Sequence, residues 1–160
     1  MWLEILQDAF FAAVAAIGFA AISRPPRSAY LFCALIAAVG HSARMVMMAD
    51  AWLSLHIVAA TFLAAFMVGT LAVFFSPVAK TPAETCLFPS LLPMIPGVYA
   101  YRFFGGLAMC LLSTDPAGFE RSFYLCASNG LTCLFILLAM VVGATVPIYI
   151  FKNISFQATR

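Results

Sequence analysis

The chain has 160 residues, 65% of them apolar and 9% charged, with a mean hydropathy of +1.06. Soluble domains average about 25% charged residues, so too few polar side chains are present to cover a surface in water. A net charge of +2 is too small to point to nucleic acid, and the composition reads as an all-α integral membrane protein in a single transmembrane domain, residues 1–160.

In chain order, the opening MWLEILQD lacks a basic segment and does not read as a cleaved signal peptide. The first apolar run, residues 2–22, has the roughly 20 residues needed to span a hydrocarbon core. It stops at Arg24-Pro25-Pro26-Arg27, a basic turn that cannot continue a helix. The second run, 29–49, is interrupted by His41 and Arg44, and the third, 51–75, closes at Ser76-Pro77. The fourth, 87–112, contains Pro89, Pro93, Pro96 and Gly97. Each proline removes an N–H and clashes with the preceding turn, so this span is expected to break at Pro96-Gly97. Residues 113–118 form a polar loop before the fifth run, 121–151, and the tail from Lys152 to Arg160 is polar.

Five spans place Arg24, Arg27, Lys80, Lys152 and Arg160 on one side of the membrane and only Arg121 in the loops of the other. The positive-inside rule then puts the N-terminus outside and the C-terminus in the cytoplasm. The first run is rich in alanine and the third holds Ala65-x-x-x-Gly69, small residues that let membrane helices approach closely. The five cysteines form no C-x-x-C pair and read as packing residues, so neither a metal nor a redox cofactor is expected.

Polar residues inside the spans carry the functional signal. Asp8 lies roughly 9–10 Å below the outer boundary, and His41 and Arg44 about 12 Å and 8 Å below it. His41 and Arg44 are spaced i, i+3 and share one side of their helix. Asn129 and Thr132 on the fifth run fall at about 12–17 Å, and Pro96-Gly97 lies about 15 Å deep, near the midplane. A charge retained at mid-helix costs about 2.5–3.5 kcal/mol even on the lenient insertion scale, so Asp8 is expected to face Arg44 or His41. Two readings stay open for that pair: a substrate or proton site, or a structural lock between the first two helices. Broken helices near the midplane build ligand sites in transporters, whereas a lone kink only shapes packing, and three prolines with a glycine exceed what one kink needs. Ser42 beside His41 does not make a nucleophile–base pair, because helical neighbours point about 100° apart. No enzyme is expected.

Leu6-Gln7-Asp8, Gly18-Phe19, Cys33-Ala34-Leu35, Gly40-His41-x-x-Arg44 and Pro93-Met94-x-Pro96-Gly97 together resemble the threonine/serine exporter family. Asn129, Leu131-Thr132, Gly143 and Pro147 fall at matching positions, so the likeness covers nearly the whole chain. More narrowly, it is similar to the small subunit of the split, two-component members, the YjjB type, linked to succinate export. The resemblance implies five transmembrane helices, a bacterial inner-membrane location, and a larger multi-span partner subunit of the YjjP type. It carries over Gln7, Asp8, His41, Arg44, Pro93, Pro96, Gly97, Asn129 and Thr132 as candidates for the substrate and proton pathway. Arg102 stands where the family is expected to have an uncharged residue. The implied substrate is a small carboxylate, succinate or another dicarboxylate, with threonine or serine as the alternative. A subunit that only stabilises its partner is the remaining reading.

Overall fold

The structure is a computed structural model and describes residues 2–50 and 52–155. Ala51, where the third apolar run begins, and residues 156–160 with Arg160 lie outside the described residues. The helices are α1 (Trp2–Ser23), α2 (Ala29–Met48), α3 (Ile57–Ala79), α4 (Ala83–Leu91), α5 (Gly97–Leu112), α6 (Pro116–Ile150) and the short α7 (Lys152–Ser155). A single 3₁₀ turn, Leu92–Met94, follows α4. The chain divides into two compact units, residues 1–94 with 139–160, and residues 95–138.

In the first unit α2 packs along both α1 and α3, and α4 sits against all three. Small residues make this possible. Ala12, Ala16 and Ala20 recur every fourth residue on α1, so one narrow stripe is buried. On α3 the buried face is Ala60, Ala64, Ala65, Val68, Ala72 and Val73. Gly40 of α2 lies directly against the Val68 side chain, and Gly69 against the Ala144 carbonyl, so neither position has space for a Cβ. Gly143 meets the Phe62 carbonyl in the same way. Close backbone approach of this kind holds helices together where no hydrophobic drive acts between them.

In the second unit α5 and the first part of α6 meet at Gly106, where an added Cβ would come within 2.8 Å of the Cys126 nitrogen. Gly106 is the only buried residue of α5. The start of α6 lies ahead of the apolar run because Asp115 caps it. The Asp115 carboxylate accepts from the Gly118 N–H at 2.8 Å, and Pro116 opens the helix where its missing N–H costs nothing.

α3 is displaced from its apolar run at both ends. Residues 52–56 form a turn with Ser54 at φ 47°, and His56 caps the helix by accepting from the Val58 N–H. At the other end the helix continues through Pro77 and stops one turn later at Lys80, which is left-handed at φ 55°. The Ser76 hydroxyl donates to the Thr81 carbonyl at 2.6 Å, tying down the exit. A proline in the last turn removes one hydrogen bond, which a left-handed cap and a serine replace.

Among the described residues four helices, α1, α2, α3 and α6, are long and apolar enough to cross a membrane, and α4 with α5 makes a fifth span if the bent pair is counted as one. Large side chains such as Phe11, Leu35, Phe104, Leu111 and Leu138 are exposed throughout. In water this surface would be an aggregation hazard, whereas in lipid it is the ordinary exterior. The fold is that of an all-α membrane protein whose fourth span is broken beside Pro96-Gly97.

Candidate functional site

The break is built from three prolines whose missing N–H groups each leave a carbonyl to be satisfied elsewhere. Within α4, Pro89 takes away the donor for the Thr85 carbonyl, and the Cys33 thiol of α2 lies 3.9 Å from that oxygen instead. The Ser90 hydroxyl lies 2.7 Å from the Cys86 carbonyl and 2.9 Å from the Cys33 carbonyl, linking the same two helices. Pro96 sits at φ −78°, ψ 60° with the Gly97 N–H donating to the Ile95 carbonyl at 2.8 Å, an inverse γ-turn. The helix cannot run through that turn, so the Met94 carbonyl loses the helical donor it would have had four residues on.

Arg44 satisfies it. The Arg44 Nη1 donates to the Met94 carbonyl at 3.0 Å, and Nη2 donates to Nε2 of His41 at 3.0 Å. Nδ1 of His41 in turn lies 2.5 Å from Oδ2 of Asp8. The result is a continuous run of hydrogen bonds from α1 through α2 to the broken span: Asp8, His41, Arg44, Met94 carbonyl. It fixes the histidine tautomer by elimination. A guanidinium only donates, so Nε2 must offer its lone pair, and the proton must sit on Nδ1, where it bonds the Asp8 carboxylate. His41 is then uncharged, and Asp8 and Arg44 balance each other through it. The side chains remain reachable, with His41 17% and Asp8 27% exposed.

The sequence left Asp8 a choice of partner, and the geometry gives it His41, with Arg44 one bond further along. Pro93 is the central residue of the 3₁₀ turn, Pro96 is buried at the γ-turn, and Gly97 is exposed at the start of α5 with no neighbour where a Cβ would go. Gln7 is exposed beside a shallow groove with Leu6, Phe10 and Ala38. Asn129 and Thr132 belong to the second unit, where each bonds back to its own helix, Asn129 to the Leu125 carbonyl at 2.7 Å and Thr132 to the Ser128 carbonyl at 2.8 Å. Arg102 lines a groove of about 790 Å³ in that unit together with Tyr101, Arg121 and Asn129. The Met94 carbonyl was not among the candidates, although the prolines on either side of it announced that some carbonyl there would need a donor. Among the described residues no group of three metal-ligating side chains forms.

Apolar helices, one of them interrupted, with ionisable side chains joined between them, are the build of a membrane transport protein. The chain belongs to the threonine/serine exporter family: the family model described as "Threonine/Serine exporter, ThrE" matches residues 8–150. The family is one of transporters rather than enzymes. An uncharacterised protein of Haemophilus influenzae is 33% identical over 146 residues, which cover 91% of this chain and 47% of the relative. The chain thus spans about half the length of this relative. No solved structure matches it.

Proposed function

We propose that the chain is one subunit of a bacterial inner-membrane secondary exporter of small carboxylate metabolites, with succinate and related dicarboxylates as the leading substrates. The observation that carries this is the run of hydrogen bonds ending on the Met94 carbonyl, because it joins a cation able to bind a carboxylate, an imidazole able to carry a proton and a broken span. Arg44 is the carboxylate ligand, His41 with Asp8 the proton carrier, and the segment from Pro93 to Gly97 a backbone ligand site. Asn129, Thr132 and Gln7 are further pathway residues. The N-terminus is periplasmic and the C-terminus cytoplasmic, in line with the arginines and lysines of the connecting segments. A second, larger membrane subunit completes the exporter. The length of the Haemophilus relative, about half of it unmatched by this chain, is consistent with the missing part being fused there.

The test is efflux of labelled succinate and threonine from cells carrying the chain and its partner. Arg44→Ala and Asp8→Asn should each lower succinate efflux at least tenfold at unchanged protein level. Unchanged efflux in both variants rejects the assignment of the site. The family's name favours a second substrate class, threonine or serine, and loss of threonine efflux alone in these variants would select it. The mutual satisfaction of Asp8, His41 and Arg44 favours one further reading, a subunit that only stabilises its partner. In that case His41→Gln and Arg44→Ala would abolish assembly and efflux in the same proportion.

A further inference from the structure

The hydrogen bonds at His41 impose a count of charges. Asp8 contributes one negative charge, Arg44 one positive charge, and His41 none while Nε2 accepts from Arg44. The triad is neutral as it stands. A carboxylate added to it alone would leave an uncompensated negative charge within the membrane, which is strongly disfavoured. A proton added alone would place an imidazolium N–H against the guanidinium that now donates to it. Either change is unfavourable, and one proton cancels one carboxylate; the second carboxylate of a dicarboxylate is met by groups outside this triad.

Resting on the reading of the chain as a carboxylate exporter subunit, we infer that Nε2 of His41 is a proton-binding site and that its protonation opens a carboxylate site between His41 and Arg44, so that one carboxylate enters with one proton. The proton comes from the aqueous side and takes the Nε2 lone pair. The bond from Arg44 Nη2 to Nε2 then breaks, because both atoms have become donors. Nε2–H and Nη2–H are left without acceptors, and the two oxygens of one carboxylate accept from them. The Nδ1–H bond to Asp8 is kept throughout, and the bond from Nη1 to the Met94 carbonyl holds the guanidinium in place. On release the proton leaves with the carboxylate and Arg44 returns to the imidazole.

Other charged groups leave this account intact. α1 presents Asp8, with Glu4 one turn back and engaged in its own interaction. α3 has no charged residue along its length, and the 3₁₀ turn presents only the Met94 carbonyl. α4 carries Glu84 and Cys86 in the stretch beside Cys33, about two turns from His41 along α2. Asp50 and His56 lie beyond the end of α2.

The chain has two histidines, so ¹⁵N-histidine NMR of the full-length chain assembled with its unlabelled partner subunit in lipid nanodiscs, with His56→Gln for assignment, reads His41 directly. At pH 8.5 its nitrogens should show Nδ1 protonated and Nε2 bare, giving way to the doubly protonated ring as the pH falls. Saturating succinate should raise the titration midpoint by about one pH unit, which corresponds to a tenfold tighter binding to the protonated form. Threonine, which brings its own ammonium group, should leave the midpoint where it is. The opposite tautomer at pH 8.5, or an equal shift with threonine, overturns the inference. Radiolabelled succinate binding separates it from the functional reading. Succinate that binds without moving the midpoint defeats the coupled site and leaves the carboxylate reading standing. Absence of succinate binding at every pH defeats both.

Discussion

The two units differ in where their polar side chains find partners. In the first, several bond from one helix to another, Asp8 to His41, Arg44 to the turn after α4, Ser28 to the Ala79 carbonyl and Ser90 to Cys33, beside others such as Thr70 and Thr145 that bond within their own helix. In the second, Ser113, Asn129 and Thr132 each bond within four residues of themselves, and α5 buries only Gly106. A polar group in lipid must be satisfied inside the protein, and the two units meet that demand differently. The first unit fixes its helices to one another through their polar groups. In the second, the amide and hydroxyls named here are satisfied within their own helices, and among the described residues only a long thiol contact, Cys110 to the Phe119 carbonyl at 4.0 Å, links α5 to α6.

The largest expected effect separates tightly approached glycines from open ones. Gly69→Ala in the first unit drives a Cβ into the backbone of Ala144, which cannot rotate away, and overpacking of this kind costs about 1–3 kcal/mol. Gly105→Ala in the second unit meets nothing within 4 Å, and replacing a mid-helix glycine by alanine stabilises by up to about 1 kcal/mol. Unfolding in mixed micelles on added SDS measures both. Equal stability of the two variants would erase the contrast between the units.

A smaller effect belongs to Ser90. Its hydroxyl is wholly buried between the Cys33 and Cys86 carbonyls, and no water in the membrane can replace it. Ser90→Ala should destabilise by about 1 kcal/mol, the net worth of one hydrogen bond, and loosen α4 from α2. Thr145→Val is the control. Thr145 bonds only to carbonyls of its own turn, so its loss should leave the unfolding midpoint within error. A Ser90 variant as stable as that control would mean that the polar links between helices contribute little.

Much of this architecture was legible in the residues, and the misses share a cause. Apolar runs marked every span, because only long apolar segments can sit in lipid. The prolines marked the break for an equally local reason, the missing N–H. Where the sequence misled was at termini. Residues 52–56 are apolar enough to read as span, yet Ser54 turns left-handed there, and Pro77 reads as a stop although the helix survives it by one turn. Such outcomes depend on caps, which hydropathy does not see. Within the site, matching depth announced that Asp8 needed a partner on α2. It did not distinguish His41 from Arg44, since both lie on one side of the helix and the choice is made by side-chain reach. The Met94 carbonyl was less legible still. Backbone acceptors leave no mark in a sequence, and the freed oxygen follows only from knowing where the helix stops.

The smallest structural effect is expected at Asn129 and Thr132, and that makes them the most informative pair for function. Their bonds return to their own helix, to carbonyls that are already engaged there. Asn129→Ala and Thr132→Val should therefore shift stability by less than about 0.5 kcal/mol, as substitutions outside a network do. Lowered efflux in these variants would then not be a by-product of unfolding. It would mean that the amide and hydroxyl leave their helix to meet something that passes, which the bonds of Asp8, His41 and Arg44 cannot reveal because removing them also disturbs the fold. Succinate efflux measured beside the SDS unfolding midpoint distinguishes the outcomes: a fall of threefold or more at constant stability places the second unit on the pathway, and unchanged efflux confines the pathway to the first.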